Sequence, residues 1–151
     1  MTLLPALSSS LFVRFSIQDD RDAPAVSLVH SPPLARYSHG VAVPAGCRMA
    51  FVSGQLGIDR DDRIPDTSEA QADICFANIA AILAEDGMTM ANIVRLSVYV
   101  TAREHMDGYR RSRDRQFSGT PPTSTLIVAA GLVRPEFVIE IEAIAAAPEQ
   151  G

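Results

Sequence analysis

Hydrophobic and polar positions sort this chain into recognisable elements after about residue 35. Leu96, Val98 and Val100 alternate with Arg95, Ser97 and Tyr99, the period-two pattern of a strand with one buried face. Upstream, Cys75, Ile79 and Leu83 recur every four residues with Phe76 and Ile82 alongside, which predicts a helix. Ser68-Glu69-Ala70-Gln71 has the form of a capping box at its start, and Gly87 is placed to cap its end. Thr101 to Glu104 reads as a second capping box, opening a helix through Met106, Tyr109 and Arg113 to about Phe117. Pro121-Pro122 stops that helix, and two β-rich stretches follow, residues 123–130 and 136–145. Before the first helix, residues 40–43 and 49–52 are short apolar runs flanking Pro44-Ala45-Gly46, which predicts a hairpin ending in Ser53-Gly54-Gln55.

The resulting order, β-β-α-β-α-β-β, predicts an α+β domain over residues 36–148, a mixed sheet with two helices on one face. Residues 1–35 break every period with Ser8 to Ser10, the charged run Asp19 to Asp22, and Pro24, Pro32 and Pro33. They are expected to form an irregular N-terminal extension, flexible or draped over the domain, with no chemistry of its own. In the last strand Phe137, Ile139, Ile141 and Ala143 share one face; Val138, Glu140, Glu142 and Ile144 share the other. Residues 126, 128 and 130 likewise oppose 127 and 129, and both sets are apolar. Two helices cover only one side of such a sheet, so the other side is expected to meet further copies of the chain.

Composition narrows the chemistry. With 13 basic against 18 acidic residues the net charge is −5, which speaks against a nucleic-acid partner. No apolar run reaches the ~18 residues of a membrane helix, and the start lacks the basic region of a signal peptide. Cys47 and Cys75 fit no metal or redox spacing, and Cys75 reads as a small buried hydrophobe; a cytoplasmic location is expected. P-loop, dinucleotide-binding, nucleophile-elbow and HExxH motifs are absent, and His30, His39 and His105 are scattered, so no metal is expected.

Five segments, taken in order, resemble one family. They are Tyr37-Ser38-His39-Gly40-Val41 (Y-S-x-(A/G)-V) and Phe51-Val52-Ser53-Gly54-Gln55 (F-(V/T)-S-G-Q). Next come Gln71 with Asn78 in an apolar helix ending at Gly87, and the strand from Ile93 to Val100. The last is the closing V-x-I-E-(I/V)-E-A-(I/V)-A from Phe137 to Ala145. Residues 37–147 thus resemble the YjgF/Rid proteins, the reactive-intermediate (imine/enamine) deaminases. The resemblance implies a chorismate-mutase-like fold, a homotrimer, and small-molecule clefts between subunits. It also implies hydrolysis of an imine or enamine without a cofactor, since an imine is already electrophilic.

Carried over by position, Glu140 would handle the attacking water, while Tyr37 and Ser53 would orient the substrate. The family's carboxylate-clamping arginine is replaced by Thr123 in Pro121-Pro122-Thr123-Ser124-Thr125, with Thr125 standing where many relatives have cysteine. A threonine hydroxyl supplies no charge, which predicts an altered substrate. Arg110 is a candidate replacement, although its run of four arginines also reads as a solvated helix face with Asp107 and Arg111 paired at i, i+4. The rival reading is a non-catalytic metabolite-binding or regulatory trimer. A ribonuclease, an old name in this family, has only the arginine run for support.

Overall fold

A computed structural model describes residues 12–14 and 35–149. The elements are β1 (Phe12–Arg14), β2 (Gly40–Ala42), β3 (Cys47–Leu56), α1 (Ser68–Glu85), β4 (Ile93–Val100), α2 (His105–Gln116), β5 (Thr123–Val128) and β6 (Ile139–Pro148), with a 3₁₀ turn at Met90–Asn92. Four strands form the main sheet in the order β3-β6-β4-β5. β6 runs antiparallel to both neighbours, while β5 lies parallel to β4. A parallel neighbour needs a crossover, and α2 supplies it. The α+β, two-helix, mixed-sheet expectation holds.

The alternation in β4 holds in detail: Leu96, Val98 and Val100 are buried, Arg95 is exposed, and Ser97 and Tyr99 are half-buried. Together with Ile139, Ile141, Ala143 and Ala145 of β6 they meet Ala72, Cys75, Phe76, Ile79 and Leu83 of α1. Ile82 is turned outward instead, at 43 % exposure. Tyr109 of α2 stacks on Phe76, and Phe117 meets the same ring edge-on, which closes the core on the helix side.

Both capping boxes differ from expectation. Thr67 caps α1, its Oγ1 accepting from the Ala70 amide at 3.2 Å. Ser68 therefore lies inside the first turn, and Gln71 is free for another task. Its amide donates to the carbonyls of Pro65 and Glu136, and its Oε1 accepts from the Val138 amide at 3.0 Å. A buried primary amide has that many bonds to satisfy, so tertiary stitching wins over the local box. At α2 the cap is Glu104, in helical conformation and without a side-chain bond. Thr101 to Glu104 form turns instead, with the His105 and Met106 amides donating back to Ala102 and Arg103. Gly87 behaves as expected. At φ 63° it donates to Ala84, and Met88 donates to Leu83, which closes the helix in a Schellman turn.

The predicted first hairpin does not pair as such. Ala45-Gly46 does turn, with Gly46 at φ 78°. β3, however, pairs with β6 (Ala50 opposite Ala145, Val52 opposite Ala143), and β2 pairs in parallel with β1. A turn signal sets a reversal of the chain, but the apolar match along a long strand decides the partner. Phe12–Arg14 is thus a strand inside the stretch expected to be irregular. The rest of that stretch up to residue 34 lies outside the described residues.

The arginine-rich helix is held against α1. Arg111 reaches Glu69 at 2.7 Å, and Arg115 reaches Glu69 at 2.5 Å and Asp73 at 2.9 Å. Ser112 also donates to Asp73. Asp107 pairs with Arg110, not Arg111, because Arg111 is drawn across to the neighbouring helix. Arg113 lies over the Tyr109 ring and binds Asp114.

Candidate functional site on the uncovered sheet face

Residues paired across adjacent strands share a face. Tyr99 pairs with Glu140, Ser97 with Glu142, and Arg95 with Ile144. On the other side of β4, Arg95 pairs with Thr123, Ser97 with Thr125, and Tyr99 with Ile127. Phe51 of β3 is opposite Ile144. All of these lie on the face that the helices leave uncovered. Phe51 is 75 % exposed there and Ile127 50 %.

Glu140 owes its position to Gly54. The β3–β6 register shifts between Val52 and Gln55, so Ser53 and Gly54 bulge opposite Glu142. A Cβ built on Gly54 would lie 1.8 Å from Glu140 Oε1 and 2.9 Å from its Cγ. The missing side chain is therefore the space the carboxylate occupies. Gly54 does not have a positive φ, so it is the lack of a side chain and not backbone freedom that this position uses.

Ser53 is exposed at the bulge. It lines a depression of about 230 Å³ with Phe51, Arg95, Ser97, Glu142 and Ile144. Tyr99 donates from its hydroxyl to Glu142 Oε2 at 3.3 Å, and the Glu142 charge pushes the phenol pKa up.

Tyr37 belongs to a segment docked on the loop before β5. The Ser38 amide donates to the Pro122 carbonyl at 3.0 Å and its hydroxyl to that of Pro121 at 2.6 Å, while Arg36 donates to Gly119. Tyr37 is half-buried and meets His39 edge-on at 5.5 Å. The Thr123 hydroxyl is engaged by backbone, donating to Val94 at 2.8 Å. Thr125 is exposed and accepts from Arg95 Nη2 at 3.3 Å.

Within one protomer the structure gathers Glu140, Ser53, Thr123 and Thr125 on one face and docks Tyr37 beside the start of β5. Arg110 is not gathered with them. It sits in the helix layer, on the other side of the sheet, bound to Asp107 at 3.0 Å. Three further polar residues of the face, Arg95, Ser97 and Tyr99, were visible as the polar half of an alternating strand. The β4–β5 pairing that sets Arg95 beside Thr123 has no local signature.

Cys75 donates to the Gln55 carbonyl, and burial pushes its thiol up to about 12. Among the described residues no three His, Cys, Asp or Glu side chains stand close enough to hold a metal ion, and His30 lies outside them. No described helix is long and apolar enough to cross a membrane.

The family model described as endoribonuclease L-PSP matches residues 28–147. Protein DfrA of Myxococcus xanthus is 34 % identical over 116 residues, covering 72 % of this chain and 83 % of that protein. The Rid-family protein YyfB of Yersinia pestis, described as of unknown function, superposes with a TM-score of 0.66 at 26 % identity, covering 74 % of this chain and 87 % of the other. RidA of Psychrobacter sp. PAMC 21119 superposes at 0.62 with 26 % identity, covering 77 % and 92 %.

Proposed function

The chain belongs to the YjgF/Rid family, and from that premise we propose that it is a cofactor-free hydrolase of a small imine or enamine. The carrying observation is the Glu140 carboxylate seated over Gly54 on the uncovered face. In this reading Glu140 takes a proton from water as the oxygen bonds to the C=N carbon. Proton transfer to nitrogen then lets the C–N bond break, so imine plus water becomes ketone plus ammonia. Ser53 and Tyr37 orient the substrate, and the hydroxyls of Thr123 and Thr125 line the wall.

The working unit in this reading is a homotrimer, with the uncovered faces turned to one another and the clefts between copies. Phe51 and Ile127, too exposed for a lone protomer surface, support that assembly.

The test is hydrolysis of 2-imino acids released by an amino-acid oxidase and trapped with semicarbazide. Acceleration by the native protein and its loss in Glu140→Gln are expected. No acceleration, with calorimetry still recording tight binding of an unaltered ligand, would favour a regulatory, metabolite-binding trimer. That rival draws on Thr123, whose hydroxyl is already committed to Val94 and brings no charge. A ribonuclease reading is disfavoured because Arg111 and Arg115 are neutralised by Glu69 and Asp73.

A further inference from the structure

Two carboxylates of β6 share the uncovered face, and their surroundings differ. Glu140 fills the notch over Gly54, whereas Glu142 is the carboxylate that lines the depression with Phe51, Ser53, Ser97 and Ile144. Residues two apart on a strand point the same way with Cα atoms about 7 Å apart, which leaves room for a small planar group between the head groups. Glu142 is half-buried, and its side-chain partner among the described residues is the Tyr99 hydroxyl, which donates to Oε2 at 3.3 Å. That donor is neutral and leaves Oε1 free to accept. Arg95 lines the same depression, but its head group reaches Thr125 on β5, on the far side of β4 from Glu142. β3 adds the uncharged Phe51, Val52 and Ser53. A half-buried carboxylate held by a neutral donor favours a cation at its free oxygen.

We propose that Glu142 is a second catalytic residue, which holds the reacting nitrogen as a protonated imine, with Tyr99 positioning its carboxylate. The inference rests on the hydrolase reading and adds the charge state in which the substrate is bound. An N–H of the C=NH2+ group donates to Glu142 Oε1 in a charge-assisted bond. Protonation makes the carbon more electrophilic, and water adds to it as Glu140 takes a proton, giving a neutral carbinolamine. Glu140 passes that proton to the nitrogen. The C–N bonding pair then leaves with nitrogen while the hydroxyl proton goes to Glu140, and the ammonia formed takes this proton away as ammonium. One carboxylate holds a cation and the other moves a proton, a division set by their different surroundings. The Glu142 charge pushes the Tyr99 phenol up, so Tyr99 keeps its proton and stays a donor throughout.

The experiment is calorimetric titration of the full-length protein with benzamidine, a stable planar C=NH2+ cation whose ring suits Phe51 and Ile144, and with benzamide, its neutral counterpart. Native protein should prefer benzamidine. Glu142→Gln should weaken benzamidine roughly 10- to 100-fold, the loss expected for charge-assisted bonds, and leave benzamide unchanged. Tyr99→Phe keeps the charge but frees the carboxylate, so it should lower benzamidine affinity by a smaller factor and again spare benzamide. A merely structural role for either residue would weaken both ligands alike. Glu140→Gln should keep most of the preference. No preference in the native protein, a preference that survives in Glu142→Gln, or one lost in Glu140→Gln instead would each overturn the inference. The hydrolase reading is decided separately, by whether the native protein accelerates imine hydrolysis and Glu140→Gln does not.

Discussion

Gly54 and Glu140 occupy one volume between them: the carboxylate of β6 fills the space where a side chain on the β3 bulge would be. The bulge turns the chain at Ser53-Gly54, and the register of β6 delivers Glu140 to it. The acid is thereby held by shape, with an exposed serine as its neighbour.

Gly54→Ala tests that relationship. The backbone at Gly54 is not left-handed, so alanine is allowed there, but its methyl must displace the flexible carboxylate. Turnover in the imine assay should fall about 100-fold, as for loss of a general base, while the protein stays folded. A variant with native activity would mean that Glu140 is not needed in this pose.

Gly108 plays a different part, letting α2 approach the start of α1. A Cβ there would lie 2.2 Å from Ser68 Oγ and 2.8 Å from the Glu69 amide nitrogen. Backbone cannot swing aside as a side chain does, so Gly108→Ala should cost about 1–3 kcal/mol. Thermal unfolding should register a drop of several degrees, against little change for Gly119→Ala, where no atom lies within 4 Å.

The interhelix ion pairs make stability depend on acid. Hydrogen bonds from Arg111 and then Arg115 hold Glu69 below its ordinary value of 4.5. A carboxyl depressed in the folded state contributes fully above the unfolded value, and the contribution is lost as pH falls through the folded one. The native protein should melt slightly higher than Glu69→Gln at pH 7. That gap should close below pH 4.5, and also in ~1 M salt, which screens exposed charges. A gap insensitive to both would point to packing, not charge.

Cys75 should be chemically silent. With its thiol near 12, roughly one molecule in ten thousand carries the thiolate at pH 8. Mass spectrometry after iodoacetamide treatment should show Cys75 unmodified in folded protein and alkylated once denaturant is added. Rapid alkylation without denaturant would contradict the burial that sets this value.

Phe51→Asp should break the assembly. An aromatic ring 75 % exposed on a sheet face suits contact with another copy, and a charge in its place opposes that contact. Light scattering is expected to give the mass of three chains for the native protein and of one for the variant. An unchanged mass would remove this face from the subunit contact.

How much of this was legible beforehand follows the range of the physics involved. Alternation in β4 and β6, four-residue spacing in α1, and Gly87 beyond its end are signals written within a few residues of where they act. Those signals, with the family's segments, determined the α+β class, the element order and the candidate Glu140. They could not decide what each side chain does once another segment arrives. Gln71 gives up its box for three backbone groups, and Arg111 leaves Asp107 for Glu69. Residues 40–42 pair with 12–14 instead of with β3. Tertiary structure alone set Gly54 beneath Glu140 and Arg95 beside Thr123, residues 86 and 28 positions apart in the chain. Such pairings depend on strand order and register, which are fixed by burial summed over the whole sheet and leave no mark in any short window.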